Sequence, residues 1–188
     1  MCGRYTLYDI SKYELNVDID IKPNYNIAPA SKVLIINQKM DLEYVYWSIK
    51  PSWSEKINII NARSETLETK NIFRNAERCV FIANGYFEWK RHSCKKIPYY
   101  HTYLDRMMFF GGIKLGDRAC IVTRSSYPNI EIVHNRQPVL LEYDTFNNWF
   151  NKNHNFECYN SSKLEIYEVS DRVNNPANNL CKNIEKFN

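Results

Sequence analysis

The chain has 188 residues, enough for one domain with its own core and no need of cross-links. Its 44% hydrophobic and 24% charged residues exclude a disordered polymer, and no apolar run approaches the roughly 18–20 residues of a membrane-spanning helix. A balance of 25 Lys and Arg against 21 Asp and Glu gives +4, which permits a polyanionic partner without demanding one.

In chain order, Ser11-Lys12-Tyr13-Glu14 has the form of a capping box and predicts a short helix. Pro23 to Pro29 reads as an irregular, turn-rich segment. Val33–Ile36 and Tyr44–Trp47 are β-branched and aromatic runs on either side of Asn37–Asp41, the pattern of a hairpin. After a loop over Lys50–Ser54 and the apolar run Ile57–Ile60, residues Glu65 to Glu77 carry acids early and bases late, which predicts a helix. Strands are expected at Cys79–Ala83, Tyr86–Lys90, Pro98–Leu104, Met107–Ile113 and Ala119–Thr123. A further strand-like stretch runs through Val133–Leu141, and Asp144 is placed to cap a helix through Trp149 and Phe150. Leu164–Val169 reads as the last strand, before an Asn-rich tail from about residue 174. The sum is one α+β domain over residues 1–188, with an antiparallel, barrel-like β-sheet core and a few short peripheral helices.

Six cysteines are scattered without a CxxC pair, and the polar, aromatic N-terminus does not read as a signal peptide. Free thiols in a reducing intracellular compartment are therefore expected. His92-Ser93-Cys94 fits no common zinc spacing, so no metal and no cofactor are expected. The 14 Tyr, 9 Phe and 4 Trp suit surfaces that stack bases as well as a core.

Four motifs carry chemistry. In Met1-Cys2-Gly3-Arg4, removal of Met1 exposes Cys2 as a 1,2-aminothiol, with an amine pKa of about 7.7–8.0 beside a thiol pKa of about 8.5. Such a pair condenses with an aldehyde to an imine and then closes to a thiazolidine. The others are Asn61-Ala62-Arg63-Ser64-Glu65-Thr66, Gly85-Tyr86-Phe87-Glu88-Trp89-Lys90 and His134-Asn135-Arg136-Gln137-Pro138. Strand alternation in the third puts Tyr86, Glu88 and Lys90 on one face and Phe87 and Trp89 on the other.

In this order, with Tyr25-Asn26-Ile27-Ala28-Pro29 and Trp47 to Trp53 between them, the motifs closely resemble the SOS-response-associated peptidase (SRAP) family, from Cys2 to about Asn178. The resemblance implies a sensor of abasic sites in single-stranded DNA, with single-strand to duplex junctions as a further ligand, acting as a monomer away from membranes. It implies Cys2 as the crosslinking nucleophile and Asn61 as a holder of the terminal amine or the sugar oxygen. Glu88 is implied as the acid/base and His134 as the residue that assists through the imine, with crosslink reversal and strand cleavage as associated activities. Arg4, Arg63 and Arg136 match phosphate-binding arginines, and Trp53 and Trp89 match aromatics beside the DNA path. The chain departs from the family pattern at Ser54, Gln137 and Ala177 and is short for the family. Two alternatives stand beside this reading: a thiol (auto)peptidase using Cys2, Glu88 and His134, and a non-catalytic binder of modified or junction DNA.

Overall fold

The computed structural model describes residues 2–11, 21–103, 106–153 and 163–187; the helix expected after Ser11 lies outside them. The first strands are β1 (Arg4–Leu7), β2 (Asn24–Ile27), β3 (Lys32–Ile36), β4 (Leu42–Trp47) and the short β5 (Asn61–Arg63). There follow β6 (Glu77–Ala83), β7 (Gly85–His92), β8 (Lys95–Thr102), β9 (Met108–Leu115) and β10 (Arg118–Ser125). Helix α1 (Pro128–Glu131), β11 (Arg136–Pro138), β12 (Leu140–Leu141), helix α2 (Phe146–Phe150) and β13 (Glu165–Glu168) complete the elements used below.

The larger sheet runs β10-β4-β3-β6-β9, and β9 pairs back onto β10, so the path closes into a ring. Closure explains why every residue of β6 after Glu77 is buried; the one charged side chain among them, Arg78, is paired with Glu68 and lies over the Trp149 ring. The smaller sheet has the order β13-β8-β7-β1-β2. Its inner face inserts Tyr5 into the ring, edge-on to Trp47, Phe81 and Phe110 at centroid distances of 5.2, 6.4 and 6.1 Å, the geometry favoured by aromatic quadrupoles. Tyr86 stacks on His101 at 4.4 Å and meets Phe110 edge-on. The outer face carries a second cluster of Phe87, Tyr100, Val169 and Val173, with Trp89 and Tyr167 against it. The alternation expected for residues 86–89 is thus realised as two separate cores, one on each face of β7.

Several local expectations gave way to tertiary demands. The predicted helix over Glu65–Glu77 is instead two short 3-10 turns, Ser64–Thr66 and Asn71–Phe73, and Glu77 already begins β6. The buried apolar residues there are Leu67, Phe73 and Ala76, and a spacing of six then three does not form one helical stripe. Asp144 lies inside a 3-10 turn, Tyr143–Thr145, and α2 starts after Thr145 with no side-chain cap. The expected strand Val133–Leu141 is divided: β11 pairs with β10, whereas β12 pairs with β9. Pairing is antiparallel except at β10, which runs parallel to both β4 and β5. The short α1, with Pro128 in its first turn, was not foreseen.

Residues beyond the last strand are strapped to β1 and β2 by side-chain hydrogen bonds, among them Tyr25 N–H to Asn179 Oδ1 at 2.6 Å, and Asn26 makes the largest share. Asn26, 3% exposed, donates from Nδ2 to the carbonyls of Val173, Asn175 and Asn178 at 3.3, 3.0 and 2.8 Å. Its Oδ1 accepts from Arg4 Nη1 at 2.7 Å, and the same guanidinium nitrogen donates to Val173 O at 2.8 Å. Truncation would leave buried carbonyls and a guanidinium unsatisfied, and each such loss costs roughly 1–3 kcal/mol. Asn26→Ala is expected to lower unfolding stability in urea by about 2–4 kcal/mol; a loss well below 1 kcal/mol would show that the strap is not a stabilising contact.

Candidate functional site

The site is assembled where β1 enters the smaller sheet. Tyr5 pairs with Tyr86 and Arg4 with Phe87; continuing that register puts Glu88 opposite Gly3. Cys2, just before β1, is fully buried. Asn61, at the start of β5, donates from Nδ2 to Cys2 O at 2.9 Å. β5 reaches this position because Asn61, Ala62 and Arg63 pair with Ile121, Val122 and Thr123 of β10. The same strand holds β11, with Arg136 opposite Ser125, and so fixes the loop bearing His134. His134 Nε2 stands 3.9 Å from Glu88 Oε1. Residues 2, 61, 88 and 134 therefore converge.

Burial, reinforced by the Glu88 carboxylate, pushes the Cys2 thiol well above its ordinary pKa. The resting group is a thiol, and any reaction through sulfur needs a base beside it. Glu88, 4% exposed, is the neighbouring carboxylate. His134 Nδ1 accepts the Arg136 backbone N–H at 3.0 Å, so the neutral imidazole carries its proton on Nε2, facing Glu88. Tyr5 Oη, Tyr86 Oη and Asn61 Oδ1 are among the buried polar atoms without a hydrogen-bond partner. Burial raises the pKa of both tyrosines, and the charge of a Cys2 thiolate would raise them further. The two tyrosines are direct cross-strand partners and lie in the same buried cluster as Cys2. Sequence reading placed Tyr86 on the right face but gave neither hydroxyl a part, because their convergence depends on the pairing of β1 with β7.

Two hollows flank the N-terminus. One, of about 450 Å3, is lined by Gly3, Arg4, Glu88, Trp89, His134 and the hairpin residues Arg91 and Lys96. The other, of about 920 Å3, is lined by Trp53, Ile59, Asn61, Arg63 and Phe73 among others. Trp53 is 64% exposed, whereas Trp89 is fixed by a 2.8 Å hydrogen bond from Nε1 to Asn174 Oδ1. The arginines differ in kind. Arg63 projects into solvent. Arg4 is held by Asn26 and Val173 O, and Arg136 makes a two-nitrogen bridge to Glu65 while Nη2 also donates to Thr123 O at 2.7 Å. Gln137 is fully buried; its Oε1 accepts the Tyr127 backbone N–H at 2.7 Å and its Nε2 donates to Pro138 O. The departure at this position is therefore an internal tie that shapes the loop before His134. Nothing in the structure explains Ser54 or Ala177. Among the described residues no helix is long and apolar enough to cross a membrane.

A buried N-terminal cysteine, threaded beside a closed β-ring and facing Asn, Glu and His from three other segments, defines an SRAP-type domain. Residues 1–176 match the model of the SOS response associated peptidase (SRAP) family, and the chain belongs to it. It is 32% identical to the abasic site processing protein YoaM of Bacillus subtilis, across 100% of this chain and 99% of that protein. It is 30% identical to the abasic site processing protein YedK of Escherichia coli, over 79% of each. A Bordetella bronchiseptica protein of solved structure shares the fold, with a TM-score of 0.76 at 19% identity over 90% of this chain and 100% of that one.

The Glu65–Arg136 bridge makes a prediction about acid stability. The guanidinium hydrogen bonds hold Glu65 well below the usual carboxylate range, at about 2. A depressed folded pKa contributes stability that is present above the unfolded value, near 4.5, and lost as pH falls toward 2. Glu65→Gln should therefore flatten the pH dependence of the melting temperature between about pH 4.5 and 2. An unchanged acid limb would show that the bridge is equally strong in the unfolded chain.

Proposed function

We propose that this protein senses abasic sites in single-stranded DNA and captures them covalently through Cys2 once Met1 is removed. The observation that carries this reading is the enclosure of Cys2 beside Glu88, with Asn61 on its carbonyl. The names of the relatives supply the substrate: proteins alike over nearly their whole length are abasic site processing proteins.

The acid–base state of the site orders the steps. The ring-opened abasic sugar presents an aldehyde. With the thiol held protonated, the terminal amine, whose ordinary pKa is about 7.7–8.0, attacks first. The carbinolamine loses water, its hydroxyl leaving with a proton relayed by Glu88 while the N–H proton returns to that carboxylate, and a neutral imine remains. The thiol sulfur then adds to the imine carbon while its proton passes by way of Glu88 to the imine nitrogen, which closes the thiazolidine. Reversal follows the same path backwards and uses the same carboxyl. His134 supports the imine stage, and with it any strand cleavage by β-elimination. Arg4, Arg63 and Arg136 form the cationic wall for backbone phosphates, and the exposed Trp53 offers a stacking face that favours unpaired bases or a junction.

The peptidase in the family's description has a bounded counterpart here, the single cleavage after Met1. The raised thiol pKa opposes general thiol proteolysis, which depends on a thiolate at neutral pH.

Mature protein beginning at Cys2, mixed with single-stranded DNA bearing one abasic site, is expected to give an adduct that survives denaturing electrophoresis. Cys2→Ser should leave at most a labile imine, and Glu88→Gln should slow adduct formation and release together by about 10²–10⁴-fold. An equally stable adduct from Cys2→Ala would overturn the thiazolidine assignment. Wild-type crosslinking by Glu88→Gln at saturating DNA would remove Glu88 from the chemistry.

A further inference from the structure

The tip of the β7–β8 hairpin concentrates positive charge in a way the fold does not require. Lys90, Arg91, His92, Lys95 and Lys96 fall within seven residues, and no acid occurs between Trp89 and Pro98. Register sets Arg91 directly opposite Lys96 and His92 opposite Lys95, and like charges in such cross-strand positions are destabilising. Elsewhere the corresponding tension is neutralised: Lys114 lies between Glu43 and Glu77, Arg106 is paired with Glu142 and Arg78 with Glu68. Among the described residues, Lys90, Arg91, Lys95 and Lys96 take part in no ion pair.

The hairpin is also continuous with the site. Arg91 and Lys96 line the same hollow as Gly3, Glu88 and His134. At a strand rise of about 3.3 Å per residue, Arg91 stands about 10 Å beyond Glu88. Two of the three arginines in the sequence motifs, Arg4 and Arg136, have internal partners. Arg91 and Lys96 stand on the wall of that hollow with no ion-pair partner among the described residues.

We propose that the β7–β8 tip is a phosphate-binding arm, in which Arg91 and Lys96, with Lys95 beyond them, hold the backbone of the DNA strand where it leaves the Cys2 site on one side of the lesion. The proposal rests on the reading of single-stranded DNA as the ligand and extends it to a strand several nucleotides longer than the lesion. A polyanion lying on the tip relieves the Arg91–Lys96 repulsion, and contacts to phosphates leave binding indifferent to base sequence.

The test uses the full chain and an undamaged oligothymidylate, with affinity measured against NaCl concentration. Arg91→Gln/Lys95→Gln/Lys96→Gln, all exposed positions, should lower the magnitude of the log–log salt slope by about two, at about 0.7 per lost phosphate contact on a single strand. The charge-preserving Arg91→Lys/Lys95→Arg/Lys96→Arg should restore it. The melting temperature of the glutamine variant should be unchanged or raised, because a repulsion is removed. On oligonucleotides shortened progressively from one end, wild type and glutamine variant should converge at one end only. A glutamine variant with the wild-type slope overturns the arm. Adduct formation by the unaltered protein reports separately on capture. A lowered slope without any wild-type adduct would keep the arm and sink the capture, and an adduct with an unmoved slope would do the reverse.

Discussion

Everything at the site depends on the close pairing of β1 with β7. The two strands meet at Thr6 and Gly85, where a Cβ on Gly85 would come within 2.4 Å of the Tyr100 ring and 2.6 Å of His101 O. Glycine at this position leaves room for the Tyr100 ring of β8, which packs between β7 and Thr6 of β1. Thr6 completes the seal with a 2.7 Å hydrogen bond to the Tyr100 hydroxyl. Once that pair is in register, Tyr5 must enter the ring, Arg4 must face Asn26, and the backbone of Cys2 must pass beside Glu88. The position of the N-terminus is thus a consequence of core packing, and no flexible tail has to find its partner.

Burial then sets the electrostatics. A thiol withdrawn from water and set near a carboxylate stays protonated, and an imidazole whose Nδ1 is occupied by a backbone N–H turns its proton-bearing nitrogen to that carboxylate. Cations around the site fall into two populations. Arg4 and Arg136 brace the C-terminal strap and the β5–β10–β11 junction through specific hydrogen bonds. Arg63 and the hairpin bases stand exposed. The division matters because Arg136, paired with the Glu65 carboxylate, presents less net charge to a ligand than a free guanidinium, whereas Arg4 has neutral partners that fix its position but leave its charge.

The strands were legible where β-branched and aromatic residues run together. The β3–β4 hairpin and β6 to β10 fall close to their expected places because a buried strand leaves a dense local signal. The segment from Glu65 to Glu77 misled because charge order along a putative helix says nothing about what its apolar residues pack against. Leu67 and Phe73 are drawn to the core from different directions, and the backbone follows them through two 3-10 turns. The strand-like stretch within Val133–Leu141 divides because its two halves hydrogen-bond to different neighbours, a distinction absent from local sequence.

By itself the sequence singled out the candidate reacting groups and the two faces of β7. A cysteine after the initiator Met is a covalent fact, and alternation of side chains across a strand follows from the pleat. Motif order sufficed to indicate the family. Only the tertiary structure decided that residues 2, 61, 88 and 134 meet, that Tyr5 and Tyr86 are buried with Cys2 in one cluster, and which arginines are held internally. Those outcomes depend on strand register and on long-range hydrogen bonds such as Asn26 to Val173 and Asn61 to Cys2. Register is selected by the burial of whole faces at once, so no single segment contains the information that fixes it.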